Sequence, residues 1–427
     1  MEWSVSRAVN RTAGAVTTVP GMPTASLTLH KYLPFAALYL LFNSVGLPMG
    51  LLYTTALAPL LYFWVIHAGS KRVLKPFLLL SFPFLVAQVS HGIASPLLYL
   101  RSYVLIGLVY VNAYAFYVAL KNIKTLSRLF EQVTMLNFFL TVIAMLLRYT
   151  PGRELFWTDE INLNTGQHFS RLTLLVYEPS YLAMLLTPLL IFFLYRLILG
   201  PSLRRFGYFI MVAVPFVLSE SYGGFAIVSA AVFLSLLAYF RELIKRRSVL
   251  ISGVLLCVIV VLVLGTDNPI SKRTAEIIAG KDSSTLSRTV FSYYLSFRIA
   301  ALRSLWWGVG FGQSKVLGES IVATETIGFQ TAVIPNAIAG TFAELGLIGV
   351  LLRLAIEIYL FFRTKVRSNC YRMAMFVAAF LFQFTGSYVT NIAEYVIWIL
   401  AFTPTFPEMN IEFVKQSAKR MVAARHT

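Results

Sequence analysis

Charged residues are scarce in this sequence of 427 residues, of which only 13% are Asp, Glu, Lys or Arg. A soluble domain usually carries about 25%. With 58% hydrophobic residues, a chain of this length has too few polar side chains to cover the surface of a water-soluble fold. The shortage of charge therefore excludes a soluble enzyme and a disordered scaffold, and it predicts a polytopic membrane protein.

Cysteine is also rare, because the sequence holds only Cys257 and Cys370. Their separation gives no metal-binding spacing and no disulfide framework. The sequence also lacks an Asp-x-Asp pair, which could hold a metal ion on a nucleotide sugar. We therefore expect no metal and no cofactor.

Long apolar runs dominate the sequence, and a helix needs about 20 apolar residues to cross a bilayer. Six runs suit a single pass, at about 76–94, 98–120, 129–148, 172–195, 248–266 and 337–362. Three others are too long for one pass and short for two. Each contains a candidate break: 33–66 at Asn43–Pro48, 206–240 at Ser219–Gly224, and 371–403 at Gly386–Asn391.

Most Lys and Arg residues lie in seven clusters between these runs, within 7–31, 71–75, 121–128, 196–205, 241–247, 363–372 and 415–425. The positive-inside rule places all seven in the cytoplasm only if each longer run is a helical hairpin. We therefore predict an all-α transmembrane bundle of about 12 passes with both termini cytoplasmic. The net charge of +18 then reflects membrane orientation, and we expect no nucleic acid partner. The predicted parts are a cytoplasmic tail over 1–30, a transmembrane domain over 31–407 and a basic cytoplasmic tail over 408–427.

This topology leaves two sizeable loops on the outer face, 149–171 and 267–335, and the second is too long for a simple connector. Arginine predominates among the basic residues there, against the orientation rule. A planar guanidinium binds phosphate oxygens bidentately, which a lysine ammonium cannot do. A single arginine could simply pair with a nearby acidic residue. For the whole set we expect an anionic ligand, and its members include Arg171, Arg288, Arg298 and Arg303.

Residues 287–307 of the longer loop have the pattern of an amphipathic helix near the membrane interface. Ten residues separate Arg288 from Arg298, which places them about 80° apart around an α-helix, so that both can face one pocket. Arg303 lies farther round, and contact with lipid headgroups is an alternative for it. The two tryptophans that end the segment suit the interface, and stacking on sugar faces is the alternative.

Glu178 opens the sixth pass, directly before Pro179, which suits the first position of a helix. A carboxylate there is a candidate general base for an acceptor hydroxyl. The helix dipole and Arg171 both stabilise its charged form, which weakens it as a base, and a purely structural role is equally open. His168 titrates near neutral pH and is the competing candidate.

The tenth pass opens at Asn336 and contains Glu344. Small residues around Glu344 favour close helix packing. An ionisable group within an apolar run is costly unless it is paired, and Arg353 lies deeper in the same run. A functional carboxylate and a buried ion pair are therefore both open for Glu344.

Together, the motifs of the outer face resemble those of the Wzy-like O-antigen polymerases and the related O-antigen ligases of bacterial envelopes. They span about 165–362 and are Glu178-Pro179-Ser180, Ser221–Gly224, Arg288 and Arg298, Gly308–Gly312, and Asn336 leading into 342–349. Two positions depart from the pattern. Pro335 stands where ligase-like members often have a histidine, which argues against the ligase, and Tyr222 stands where an arginine is usual.

The resemblance implies a metal-independent glycosyltransferase acting on polyprenyl-pyrophosphate-linked sugars at the outer face of the bacterial inner membrane. The partners it implies are a lipid-linked donor and acceptor, membrane lipid and a chain-length regulator. The catalytic residues would be Glu178, Arg288 and Arg298. The substrate-binding residues would be Arg171, His168, Arg303, Tyr181, Asn336 and Glu344. An O-antigen ligase and a lipid-glycan flippase or transporter are the alternatives.

Overall fold

The computed structural model describes residues 46–47, 51–69, 72–122, 126–161, 168–176, 178–239, 275–324, 334–386 and 389–413. This part of the chain is mostly helical, and four of its helices are long and apolar enough to cross a membrane. Many large apolar side chains are exposed on the helix surfaces, as in a bundle surrounded by lipid. The protein is therefore a helical membrane protein. The predicted pass at 248–266, residues 33–45 of the run 33–66, the whole predicted tail 1–30 and residues 414–427 of the other tail lie outside the described residues.

The first half of the described chain contains two short hairpins and seven helices. β1 (Gly46–Leu47) pairs with β2 (Leu51–Leu52), and α1 (Tyr53–His67), α2 (Lys75–Ser90), α3 (Pro96–Asn122) and α4 (Leu126–Leu146) follow. Two 3-10 turns, Leu147–Tyr149 and Pro151–Leu155, lead into the hairpin of β3 (Trp157–Ile161) and β4 (His168–Leu172). The next three helices are α5 (Pro179–Leu199), α6 (Leu203–Leu218) and α7 (Tyr222–Ala238).

In the second half, three short elements follow one another directly: α8 (Ser283–Leu286), a π turn (Ser287–Phe291) and α9 (Ser292–Ala301). We call them together the loop helix. They are followed by α10 (Gln313–Thr324), α11 (Ala337–Arg363), α12 (Cys370–Thr385) and α13 (Ile392–Phe402), with 3-10 turns at Val366–Ser368 and Pro407–Met409. The largest apolar core contains residues of the helices α4, α5, α6, α7, α12 and α13. A small separate core joins the loop helix to α10 and the start of α11.

The β3–β4 hairpin is a departure from the all-α prediction, and it precedes the sixth pass. Trp157 faces Leu172 in the antiparallel register. The Trp157 indole donates to the Ala144 carbonyl at 2.8 Å, and Leu172 is fully buried, so the hairpin is packed against the end of α4. β4 runs through Leu172, so the apolar run 172–195 is not helical from its first residue, and the helix begins at Pro179 with Glu178 as its N-cap, as the sequence predicts.

Two of the predicted breaks in the longer apolar runs are confirmed. The run 206–240 is divided between the end of α6 and the start of α7, where the Ser221 side chain accepts a hydrogen bond from the Gly224 N–H. The run 371–403 is divided between Thr385 and Ile392, where the Asn391 side chain accepts one from the Ala393 N–H. Both breaks are thus stabilised by polar N-cap residues, which supply partners for the unpaired first-turn N–H groups.

A third interruption falls inside α11 at Gly346, whose φ of 68° and ψ of −169° are not helical. Residues 305–310 lie in the interruption and form four backbone hydrogen bonds of 2.9–3.2 Å with the two segments of α11. These four bonds replace two bonds of an unbroken helix. The donor and acceptor pairs are Leu347 to Leu305, Ile348 to Trp306, Val309 to Ala343 and Gly310 to Glu344. The Gln88 amide of α2 also donates to the carbonyls of Glu344 and Trp307 at 3.0 and 3.1 Å. The predicted pass over 337–362 therefore consists of two segments.

One end of the bundle, which we call the basic end, brings several Lys/Arg clusters together. Glu131 near the start of α4 pairs with Arg196 near the end of α5 and Arg204 near the start of α6, at 2.9 and 3.2 Å. The Tyr239 hydroxyl, just beyond α7, donates to the carbonyl of Arg367, just beyond α11, at 2.7 Å. Clusters that are distant in sequence therefore occupy the same end.

The opposite end, which we call the loop end, holds the described parts of the two predicted outer loops. Arg171 of β4 donates to the Ser219 carbonyl between α6 and α7 at 3.1 Å. Arg288 of the loop helix donates to the carbonyl of Thr385, the last residue of α12, at 2.7 Å. Arg171 and Arg288 of the predicted outer loops therefore lie opposite the described basic clusters, as the charge pattern predicts.

Candidate functional site

Arg288 and Asn336 fix the loop helix to the end of α12. The Asn336 side chain is fully buried and donates to the carbonyls of Arg288 and Phe384, at 2.9 and 2.8 Å. Its Oδ1 accepts from the Ala339 N–H at 2.9 Å and so caps α11. Both amide donors of Asn336 are thus used inside the protein, and its structural role accounts for them.

The Arg288 guanidinium is half-buried against the carbonyl end of α12, where the helix dipole attracts positive charge. One of its five N–H donors bonds to the Thr385 carbonyl. This bond holds the side chain in place, and the remaining donors are the groups that could bind phosphate oxygens.

Arg298 lies in a different environment from Arg288. Its side chain is exposed and lies over the Tyr294 ring, with Nη1 donating to the hydroxyl at 3.0 Å. The predicted angle between the two arginines assumed an unbroken α-helix. The π turn accommodates one additional residue and so rotates the later residues by about 100°. The angle of about 80° therefore does not apply, and it gives no reason for both side chains to face one pocket.

The amphipathic segment ends earlier than predicted, because α9 stops at Ala301 and the chain then turns. Arg303 lies in this turn, exposed, and donates to the His91 carbonyl at 3.2 Å, which ties the turn to the end of α2. Trp307 packs edge-on against Phe84, with ring centroids 5.5 Å apart. Residues after 301 leave the helix because they occupy the gap in α11.

A second group of predicted site residues lies around the start of α5. Glu178 is the N-cap residue of α5, is half-buried, and accepts a hydrogen bond from the Ser180 hydroxyl. The half-buried Tyr181 lies in the first turn, and its N–H bonds to the Glu178 carbonyl at 3.0 Å. The backbone of His168 pairs with Ile161 in the β3–β4 hairpin, and its side chain lies outside the described part.

The turn between α6 and α7 adjoins this group through Arg171, which donates to the Ser219 carbonyl. The next residue, Glu220, has a φ of 46°, a left-handed conformation that is uncommon outside glycine. Such conformations occur frequently at ligand sites. A carboxylate in a strained turn beside an arginine makes Glu220 a candidate that the sequence analysis did not select.

Glu344 contacts the start of α10 rather than Arg353. Its Oε1 accepts from the Ser314 hydroxyl at 2.8 Å. Because α10 begins at Gln313, the carboxylate lies at the positive end of this helix. Of the two readings of Glu344, the ion pair with Arg353 is therefore not formed.

A buried polar cluster, which the sequence analysis missed as a unit, includes Arg353. Its Nε donates to Gln383 and Glu357 at 2.8 and 3.2 Å, and its Nη2 pairs with Glu394. The Gln383 amide in turn donates to Glu357 at 3.0 Å. The i,i+4 spacing of Arg353 and Glu357 is the one signal in the sequence, since Gln383 and Glu394 come from other helices.

Among the described residues, no group of three or more His, Cys, Asp or Glu side chains is placed to hold a metal ion. The loop end thus presents arginines, carboxylates and helix termini as its chemical groups. Comparison with protein-family models and with curated proteins finds no match to this chain.

Proposed function

We propose that the protein is a glycosyltransferase of the O-antigen polymerase type in the bacterial inner membrane. It joins polyprenyl-pyrophosphate-linked oligosaccharide repeat units at the outer face, which we assign to the loop end. The observation that carries the proposal is the segregation of the loop arginines from the basic clusters at the two ends of the bundle. Arginine that is held opposite the basic end needs an anion, and a pyrophosphate is the anion such a substrate carries.

The reaction breaks the bond between the anomeric carbon of the donor sugar and its pyrophosphate oxygen. A bond forms between that carbon and a hydroxyl oxygen of the acceptor sugar, and the hydroxyl proton passes to Glu178 or His168. Negative charge develops on the departing lipid pyrophosphate, so donors that are already fixed in place stabilise the transition state. Arg288 supplies such donors, because its bond to Thr385 fixes the side chain.

Four other site residues bind substrate in this proposal. Arg298, Arg171 and Arg303 contact the pyrophosphates of donor and acceptor, and Tyr181 contributes a half-buried ring next to Glu178. Asn336 acts through its backbone-binding amide, which positions Arg288. Glu344 orders the start of α10. The lipid-linked donor and acceptor are the proposed partners, together with a chain-length regulator.

A deletion strain complemented with variants tests the proposal on lipopolysaccharide gels. Loss of a polymerase leaves one repeat unit on the core, loss of a ligase leaves none, and an unchanged ladder contradicts both assignments. Arg288→Ala is expected to lower polymer formation by at least about 100-fold, the usual effect of removing one donor to a developing oxyanion. Arg288→Lys restores little, because it cannot bind bidentately.

Arg363→Ala is the matched control, an exposed arginine at the other end of the bundle. It should leave the ladder intact and the amount of protein in the membrane unchanged. If Arg288→Ala gives normal chain lengths at a normal protein level, the pyrophosphate-binding role is wrong.

A lipid-glycan flippase is the second candidate function, and the interruption of α11 favours it. Broken helices and buried charges such as the Arg353 cluster are features of transporters. Loss of a flippase would also leave no repeat unit on the core, but lipid-linked single units would accumulate in the inner leaflet. Loss of a ligase would instead leave polymer on the polyprenyl carrier.

A further inference from the structure

A groove between α1 and α2 combines positive charge at one end with an apolar wall. Its cavity has a volume of about 440 Å³, and its lining includes Tyr62, Arg72, Lys75, Leu78, Leu79 and Phe82. The groove lies at the start of α2, whereas Gln88 at the other end of that helix contacts Trp307 at the loop end. The groove is therefore separate from the candidate site described above.

The two cations of the groove have no anionic partner within the described part of the chain. Arg72 and Lys75 are exposed, and the side chain of neither forms an ion pair or a hydrogen bond with another described residue. The first turn of α2 contains no acidic residue, and its N-cap residue Leu74 provides no side-chain hydrogen bond. The local field at this position therefore favours an anion.

The apolar wall continues from the cations along α2. Leu78, Leu79 and Phe82 remain 50%, 64% and 63% exposed. At 1.5 Å per residue, Phe82 lies about 10 Å along the helix from Lys75. A charged head over Arg72 and Lys75 can thus be continuous with a hydrocarbon chain along the wall.

We propose that this groove binds one anionic phospholipid. Its phosphate contacts the Arg72 guanidinium and the Lys75 ammonium, and one acyl chain lies along Leu78, Leu79 and Phe82. The complementarity of charge and apolar surface identifies the ligand class, because basic pockets between membrane helices bind anionic headgroups at the membrane surface. The site does not depend on the proposed glycosyltransferase activity.

Native mass spectrometry of the full-length protein, with phosphatidylglycerol or phosphatidylcholine added in detergent, tests the site. The wild type is expected to retain one phosphatidylglycerol in preference to phosphatidylcholine. The double variant Arg72→Gln/Lys75→Gln should weaken that retention by at least about tenfold, since both cations that attract the anionic headgroup are removed. Thermal denaturation in detergent establishes that the variant is folded.

The control is Arg363→Gln/Lys365→Gln, which removes an exposed arginine and lysine from the end of α11 and its following turn. Equal losses in both double variants would mean diffuse attraction and would overturn the proposal, as would unchanged retention in Arg72→Gln/Lys75→Gln. Leu79→Trp, which fills the groove without changing charge, should also reduce retention. Displacement of phosphatidylglycerol by an equal amount of polyprenyl phosphate would assign the groove to a different lipid and contradict the proposal.

Discussion

Single charged residues inside the bundle are stabilised by partners from other helices. Arg353 is the clearest case, because one guanidinium serves Glu357 from its own helix, Gln383 from α12 and Glu394 from α13. The Glu394 side chain is 2% exposed, and its second carboxylate oxygen has no hydrogen-bond partner. Burial makes this cluster sensitive to the loss of any one member.

Arg353→Gln should therefore destabilise the protein strongly. The substitution leaves two carboxylates buried without their cation, which typically costs about 3–5 kcal/mol of unfolding free energy. SDS titration monitored by circular dichroism provides the measurement. Adding Glu394→Gln to Arg353→Gln should recover part of the loss, because it removes one of the unpaired charges.

The exposed Arg363 lies later in the same helix, and Arg363→Gln is the control for this comparison. It should change the unfolding free energy by less than about 0.5 kcal/mol, as surface substitutions usually do. Equal stability of Arg353→Gln and the wild type would show that the cluster contributes nothing to folding.

At the scale of elements, the interruption of α11 determines how the loop end is built. Gly346 approaches the Trp306 carbonyl so closely that a Cβ atom would overlap it, and its φ of 68° also disfavours other residues. Gly308 approaches the Glu344 carbonyl in the same way. Glycine at both positions therefore allows residues 305–310 to occupy the gap.

Gly346→Ala should consequently detach this segment, with a loss of at least about 2 kcal/mol in unfolding free energy. Gly340→Ala is its matched control in the same helix, because Gly340 is helical and a Cβ there meets no atom within 4 Å. That change should be neutral or stabilising by up to about 1 kcal/mol. Hydrogen exchange at residues 305–310 should speed up in Gly346→Ala alone; equal exchange in both variants would contradict the role of the break.

The elements that were predictable are those with a local signal. Breaks near Ser221 and Asn391 are marked by N-cap residues within apolar runs. The break at Gly346 has no such mark, because a glycine among small residues equally suits close helix packing. The π turn at 287–291 and the β3–β4 hairpin also lack a clear periodic signal.

The candidate site was predictable only as a set of residues at one end. Arg288 bonds to Thr385 and Asn336 to Phe384, and such contacts between distant segments leave no periodicity in the sequence. For the same reason the Arg353 cluster was visible only as a spacing of four residues. By contrast, the distribution of Lys and Arg along the sequence directly indicates the end of the bundle at which a segment lies, since this distribution depends on the membrane rather than on packing.

For the molecule as a whole, the proposed function requires the two ends of the bundle to face opposite sides of the membrane. Single cysteine substitutions, one at each end, report the two sides of the membrane. Lys315 is exposed in α10, and Lys365 is exposed at the basic end. The substitutions are introduced into a chain whose Cys257 and Cys370 are replaced by serine, and the unmodified background serves as the control.

The most direct test of the account is labelling of these cysteines with a membrane-impermeant thiol reagent in spheroplasts. Lys315→Cys is expected to react in intact spheroplasts, and Lys365→Cys is expected to react only after lysis. Reaction of Lys365→Cys in intact spheroplasts, with Lys315→Cys protected until lysis, would place the loop arginines in the cytoplasm and contradict the account.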